Sequence, residues 1–349
     1  ATWEQGQDWP TLAIGTYTDV TQDAFPWGSC TPNALYRPKG QGFAAPLDLK
    51  PSFCSLSMLF TDWNRSGTPA LRVSNDREYY KGGSEQMWHI APNQAPSLYT
   101  ADEGWKPLKI WGMGIASRDI TGDQREEVML TSMGDQLMQI AQPDGTYASA
   151  PFSIGTYAHR PYFGDDGRPS TGWHAQFGDM DNDGRVDLFI SKGNVDQMPS
   201  NAIKDPNNLL MQQEDGTFRE MGQSAGLAST ERGRGAALAD FDGDGRLDVV
   251  VLNRRAPLEI YRNETPDAGH WLAVSLLQPG GNRHAIGASV TVNSDMQRAI
   301  IGGGHAGGQA SPLHFGLGVA TQAEITVAWP SGHITHHKAA ANQSVTLTP

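Results

Sequence analysis

The stretch Asp179-Met180-Asp181-Asn182-Asp183-Gly184-Arg185-Val186-Asp187 returns 61 residues later as Asp240-Phe241-Asp242-Gly243-Asp244-Gly245-Arg246-Leu247-Asp248. A looser copy is Asp119-Ile120-Thr121-Gly122-Asp123-Gln124-Arg125-Glu126-Glu127, and the weakest begin at Asp62 and Asp19. Successive starts are 43, 57, 60 and 61 residues apart, a period too long for one hairpin and suited to a four-stranded sheet with its loops. Each copy comes after a short apolar or small-residue run, such as Ala236-Ala237-Leu238-Ala239. The clearer copies precede another, such as Val249-Val250-Val251-Leu252. Strand, acidic turn, strand is therefore the unit. A second pattern, Asn208-Leu209-Leu210-Met211 with Asp215-Gly216-Thr217-Phe218, reads as a hairpin closing each unit. The expected fold is all-β: a β-propeller of about five blades over residues 1–265, its terminal strands closing the ring. After residue 265 the acidic turns stop and apolar and small residues alternate, as in Trp271-Leu272-Ala273-Val274-Ser275-Leu276, so a small β-sandwich is expected over 266–349.

Composition narrows the function. The 349 residues are 38% hydrophobic and 18% charged, and 40 glycines with 22 prolines give the punctuation of many short strands and turns. A net charge of −12 argues against a nucleic-acid partner. No apolar run approaches the ~18 residues of a membrane span. Cys30 and Cys54 both lie in irregular, Gly/Pro-rich sequence, where either a reduced pair or a disulfide staple fits. The disulfide reading implies an oxidising compartment. Together with the start at Ala1-Thr2-Trp3, it predicts a secreted, periplasmic or cell-surface protein whose signal peptide has been removed.

The acidic turns carry the clearest chemistry. Carboxylates at loop positions 1, 3, 5 and 9, with glycine at 6 and a carbonyl at 7, place hard oxygen donors about one centre, the donor set of Ca²⁺. The predicted ligands are Asp179, Asp181, Asp183, Arg185 through its carbonyl and Asp187, and likewise Asp240, Asp242, Asp244, Arg246 and Asp248. A third, weaker candidate is Asp119, Thr121, Asp123, Arg125 and Glu127. An EF-hand is excluded, because position 12 is Ile190 or Val251 and the flanks are strands. The loops at 62 and 19 have Ala70 and Trp27 at position 9 and are expected to be vacant turns. The ions are expected to brace the turns rather than to act in catalysis.

These repeats resemble the FG-GAP/VCBS repeats of integrin-like β-propellers. Arg232-Gly233-Arg234-Gly235, Arg262-Asn263-Glu264, His270-Trp271-Leu272, Asn282-Arg283-His284-Ala285-Ile286-Gly287-Ala288, His314-Phe315-Gly316-Leu317-Gly318 and Trp329-Pro330-Ser331-Gly332 resemble the ASPIC/UnbV family. The two parts occur together in proteins similar to cartilage acidic protein. The resemblance covers residues ~175–349 specifically and the earlier chain only through degenerate repeats. It implies an extracytoplasmic Ca²⁺-binding propeller used for binding or adhesion. Such propellers often have seven blades, whereas five repeat starts precede residue 265 here, and Gly302-Gly303-Gly304-His305-Ala306-Gly307-Gly308 is unusually glycine-rich.

Counting back from each acidic turn places Trp9, Trp111, Trp173, His174, Arg232 and Arg234 at the channel mouth opposite the calcium loops. Indole faces, guanidinium forks and an imidazole there suit a glycan or a small organic anion, with an extracellular protein as the other partner class. The same tryptophans could instead plug the channel by packing on one another. The segment around Tyr157–Asp166 could fold over this mouth, bringing His159 and Asp165 as acid/base groups, or could be a solvated connection. His333, His336 and His337 alternate across a strand and are a poor metal set. Two functions fit these residues. One is a non-catalytic binding module; the other is a lyase, isomerase or cyclase using His174, His159 and Arg234.

Overall fold

The computed structural model describes residues 1–349 except 5, 23–28, 77–81, 158–167, 197, 309 and 311. The described chain is all-β with two single-turn 3-10 helices, and it forms five propeller blades followed by a sandwich. Blade 1 contains β1 (Leu12–Ile14), β2 (Thr18–Asp19), β3 (Ser29–Cys30), β4 (Asn33–Tyr36), β5 (Pro38–Lys39), β6 (Gly42–Phe43) and β7 (Leu47–Leu49). Blade 2 is β8 (Ser55–Thr61), β9 (Ala70–Asn75), β10 (Gln86–His89) and β11 (Ser97–Leu98). Blade 3 is β12 (Gly112–Arg118), β13 (Glu127–Ser132), β14 (Leu137–Ala141) and β15 (Tyr147–Ser149). Blade 4 is β16 (Gly172–Gly178), β17 (Asp187–Lys192), β18 (Asn208–Gln212) and β19 (Phe218–Glu220). Blade 5 is β20 (Gly233–Ala239), β21 (Asp248–Asn253) and β22 (Glu259–Tyr261).

The sandwich packs the sheet β26–β23–β29 on the sheet β25–β24–β27–β28. Its strands are β23 (His270–Leu276), β24 (Ser289–Val292), β25 (Asp295–Arg298), β26 (Leu313–Gly318), β27 (Gln322–Ala328), β28 (Ile334–Ala340) and β29 (Gln343–Leu347). Its own core includes Leu272, Val274, Val290, Phe315, Val327 and Trp329, inward positions of alternating strands.

Alternation along each blade strand sends one set of apolar residues to each neighbouring blade. Separate buried clusters therefore mark the junctions of blades 1 and 2, 2 and 3, 3 and 4, and 4 and 5. Among the described residues no such cluster joins blade 5 to blade 1. The expected closed ring is corrected here: the five blades form an open array.

Blade 1 also corrects the reading of its repeat. Thr16 N donates to Asn33 Oδ1 at 3.0 Å, as Lys192 N donates to Asn207 Oδ1 at 2.8 Å. That matches β1 to β17, the second strand of blade 4, and leaves the inner-strand place to Thr2, which bridges Thr11 on the other edge of β1. Asp19 sits in the added hairpin β2–β3, not in an acidic turn after an inner strand. Cys30 and Cys54 are disulfide-bonded and tie blade 1 to the start of β8.

The glycine-rich segment crosses the channel. Gly303 N donates to Met58 O of β8 at 2.7 Å, and Gly304 N to Ile115 O of β12 at 2.6 Å. His305 N donates to His174 Nδ1 of β16 at 3.1 Å. Ala306 O lies against Gly235 of β20, where a Cβ would overlap it. Four successive residues thus meet the inner strands of four successive blades. Gly304 has φ +63, and a Cβ there would run into the His174 ring. Gly304→Ala should therefore destabilise the protein by about 1–3 kcal/mol, read as a lower midpoint in urea unfolding. An unchanged midpoint would place the segment outside the channel.

Candidate functional site: acidic loops and the seam between domains

The acidic turns at 179 and 240 fold alike because the first aspartate collects backbone donors. Gly184 N donates to Asp179 Oδ2 at 2.7 Å and Gly245 N to Asp240 Oδ2 at 2.9 Å. Asp119 receives Gln124 N at 2.8 Å, and Asp62 receives Gly67 N at 3.1 Å. The copies differ at loop positions 3 and 5. Asp179, Asp181 and Asp183 bring carboxylate oxygens within 4.8 Å of one another, as do Asp240, Asp242 and Asp244. Among the described residues the turn at 119 forms no such trio, since Thr121 stands in the middle position.

Burial, with Asp181 and Asp183 alongside, raises the Asp179 carboxyl to about 8. Such a trio could hold a metal ion, which would take the place of the proton that burial otherwise favours. Arg185 and Arg246 pair with Asp183 and Asp244 and offset part of the charge. The position-9 carboxylates do a different job. Asp187 accepts Met180 N at 2.9 Å and Gln212 N at 2.8 Å, and Asp248 accepts Phe241 N at 3.0 Å and Asn263 N at 2.8 Å. Glu127 spans Ile120 N and Ala141 N in the same way. These residues cross-brace the turn to the third strand and lie outside the trios.

The turns also seat the sandwich. Gly269 N donates to Asp181 O and Gly318 N to Asn182 O, both at 2.8 Å. His314 Nε2 lies 2.8 Å from Asn182 Oδ1, and the Asp179 carboxylate fills the place a Cβ on Gly316 would take. Gly245 lies against the Trp271 indole, and Asn263 Nδ2 ties Met180 O to Leu247 O at 2.7 and 3.0 Å. On blade 3, Arg118 pairs with Asp295 at 2.6 Å and Glu126 with Arg298 at 2.8 Å. The sequence motif His314-Phe315-Gly316-Leu317-Gly318 is thus a docking strand: Phe315 fills the sandwich core while its neighbours grip the acidic turn.

A cleft of about 850 Å³ opens at this seam. Trp3 of blade 1 lines one side, and Leu238, Asp240 and Gly243 of blade 5 another. Gln176, Ser117 and the glycine segment line its propeller side, and Ser275, Arg283, His284, Ser344 and Thr346 its sandwich side. No motif signals it in the sequence, because its walls are drawn from both ends of the chain, from Trp3 to Thr346.

The predicted mouth opposite the acidic turns is closed. Arg234 stacks on the Trp173 ring at 4.0 Å, and its guanidinium donates to the carbonyls of Gly233, Asn194 and Val195 at 2.8, 2.9 and 2.8 Å. Trp173 donates to Gly193 O at 2.7 Å, and the His305 ring lies 4.9 Å from its own ring. Arg232 pairs with Asp196 at 3.1 Å, and Trp111 stands half-buried just before β12. Trp9 is elsewhere: its ring meets Phe43 edge-on at 5.7 Å. The offset that selected Trp9 presumed an inner strand that blade 1 does not have at β1. His159 and Asp165 lie outside the described residues. His336 and His337 face separate threonines, Thr326 at 3.1 Å and Thr335 at 2.9 Å.

Burial pushes the His305 imidazole down to about 4 and lowers His174 as well. Unfolded histidine titrates near 6.5, so below that pH the unfolded chain takes protons that the fold refuses. Stability from the neutral His305 is complete above pH ~6.5 and is lost as pH falls toward 4. His305→Gln should flatten the decline in melting temperature between pH 7 and 5, recovering about 2 kcal/mol at pH 5. A decline as steep as wild type would show that His305 is not buried neutral.

Residues 278–349 match the ASPIC and UnbV family, and residues 179–251 match the FG-GAP-like repeat. The two matches lie in tandem, the first named within the sandwich and the second within blades 4 and 5. Cartilage acidic protein 1 of Mus musculus and of Homo sapiens are each 28% identical over 173 residues, 47% of this chain and 26% of that protein. The Xenopus tropicalis protein is 28% identical over 164 residues, 45% of this chain and 25% of its own. The matched stretch is therefore about a quarter of these relatives' length. Among solved structures, a Lactobacillus plantarum protein gives a TM-score of 0.33 at 10% identity, covering 93% of this chain and 80% of that one. A GH43 protein of Bacillus licheniformis gives 0.32 at 11% identity, covering 89% and 70%.

Proposed function

We propose that the protein is an extracytoplasmic binding module in which two Ca²⁺ ions, at Asp179/Asp181/Asp183 and Asp240/Asp242/Asp244, seat the sandwich on the propeller and so shape the seam cleft. The cleft takes a hydroxylated or anionic ligand, a glycan or a small organic anion. The observation that carries this reading is coincidence of place: of the two turns with clustered carboxylates, the one at 179 holds Gly269, His314 and Gly318, and the one at 240 meets Trp271 at Gly245. Calcium supplies charge neutralisation there, with the Arg185 and Arg246 carbonyls at loop position 7 as further oxygen donors. The Cys30–Cys54 disulfide supports an oxidising compartment. The enzyme reading loses support because Arg234 stacks on Trp173 and spends its donors on backbone carbonyls, while His174 Nδ1 accepts from His305 N.

Chelation should lower the melting temperature, and Asp181→Ala should remove much of the calcium-dependent shift. Saturation at about a hundred times Kd corresponds to about 2.7 kcal/mol. Because the ion displaces a proton from Asp179, calcium affinity should rise between pH 6 and 8. An EDTA melting curve identical to the calcium curve would refute the ion's role.

The cleft itself is tested with a uronic-acid oligosaccharide as probe and a neutral oligosaccharide as control. Binding by calorimetry should weaken several-fold in Arg283→Ala, whose guanidinium is exposed on the cleft wall, with the melting temperature unchanged. Equal binding by wild type and variant would show that the cleft does not hold the ligand.

A further inference from the structure

The strand ends opposite the acidic turns collect arginines. Asp196 follows β17, Arg232 and Arg234 stand at the start of β20, and Arg254 and Arg255 follow β21. The acidic turns at 179 and 240 lie at the other ends of these same strands. Pairing of β20 with β21 sets the arginines side by side: Gly233 is opposite Asn253, and Arg254 N donates to Arg232 O at 3.0 Å.

Three of the four side chains converge on one carboxylate. Arg232 Nη1 lies 3.1 Å from Asp196 Oδ1, while Arg254 Nη2 and Arg255 Nη1 lie 3.5 and 3.4 Å from Asp196 Oδ2. Among the described residues no other carboxylate forms a salt bridge with them, and Arg234 forms none. Burial, and then the like charges of Arg254 and Arg232, push the Arg234 guanidinium down to about 10.

The donors are spent unequally. Arg234 gives its own to backbone carbonyls, and Arg254 Nη1 donates to Val195 O. Yet the side chains of Arg232, Arg254 and Arg255 remain 31%, 34% and 68% exposed, and each guanidinium has more N–H groups than these bonds use. The chain as a whole carries −12, but charges beyond about 8 Å are largely screened at physiological salt, so the local excess of positive charge decides what comes to this patch.

We infer that the patch binds a multiply charged oxoanion, a sulfate or phosphate group, beside Asp196. Guanidinium forks match pairs of oxygen atoms, and Asp196 already displays the geometry, its two oxygens taking three arginines from two blades. One carboxylate leaves most of their charge unmatched, and an oxoanion supplies the remainder. A free anion and an ester group on a sugar chain present the same oxygens. A nucleic-acid strand suits the patch less, because the arginines gather about one point rather than along a track. The calcium turns and the seam cleft lie at the other ends of the strands and take no part.

An NMR titration of the whole isotope-labelled chain with sodium sulfate, against sodium chloride at equal ionic strength, tests it. Sulfate should shift the amides of Asp196, Arg232 and Arg254 where chloride does not. Arg255→Ala should weaken sulfate binding about tenfold, the loss expected for one charged hydrogen-bonding group. Arg255→Gln takes its place if its circular dichroism departs from wild type. Asp196→Asn keeps the side-chain shape, removes the competing charge and should tighten binding several-fold. A sulfated oligosaccharide shifting the same amides at lower concentration would identify an ester group as the source, and equal concentrations would identify the free anion. Sulfate acting no differently from chloride would overturn the inference. So would full affinity in the Arg255 variant, Asp196→Asn binding no tighter than wild type, or shifts confined to Arg283 and Ser344, which would place the anion in the seam cleft.

Discussion

The backbone of Gly303 to Ala306 lies across β8, β12, β16 and β20, one residue to each blade, and this crossing fixes the rest of the molecule. It leaves no room for side chains on the channel side, which is why glycine dominates the segment. It carries His305 onto Trp173 and so closes the channel from within. It also issues from the sandwich between β25 and β26, which rests on the ends of blades 3 to 5 and, at Gly281, against Asp8 of blade 1. An open array of blades has no ring closure to hold its inner strands in register. Here an axial strap performs that task with two backbone hydrogen bonds, one bond to the His174 ring and a close contact at Gly235.

The acidic turns complete the arrangement from outside. Within a blade, Asp187, Asp248 and Glu127 tie the turn to the third strand by accepting two backbone N–H groups each. Between domains, the turn at 179 supplies the carbonyls and the amide that grip Gly269, Gly318 and His314. Clustering three carboxylates at such a junction is costly unless a cation joins them, and burial, with Asp183 and Asp181 adding to it, raises the Asp179 carboxyl to about 8. Charge repulsion inside the loop and cohesion between the domains are thereby coupled. On the proposed reading a cation at these turns would act on the cleft through that coupling, and at the 240 turn directly, since Asp240 and Gly243 line the cleft.

Much of this was legible in the sequence. The Asp-x-Asp-x-Asp-Gly turns at 179 and 240 announce both blade period and oxygen-donor clusters, because carboxylates at alternate positions of a tight turn converge on one centre. The resemblance of residues ~175–349 to FG-GAP and ASPIC/UnbV sequences pointed to the two-part fold. Blade 1 misled: Leu12-Ala13-Ile14-Gly15 with Asp19 after it imitates an inner strand and its turn, while hydrogen bonding makes β1 a second strand. Trp173 and Arg234 do meet, but in a cation–π stack that closes the mouth. Spacing can bring residues to one place; it cannot say whether they face ligand or each other. The glycine segment showed only as composition, since its partners Met58, Ile115 and His174 lie far away along the chain.

Hydrogen–deuterium exchange in calcium and in EDTA probes this coupling at both of its ends, read on peptides spanning residues 179–187 and 302–318. Chelation should expose both together, the Gly303, Gly304 and His305 amides losing protection along with the acidic turn, because one seating holds both. If the turn opens while 302–318 keeps its calcium-state protection, the sandwich and its strap are held independently of the ion, and the coupling does not exist.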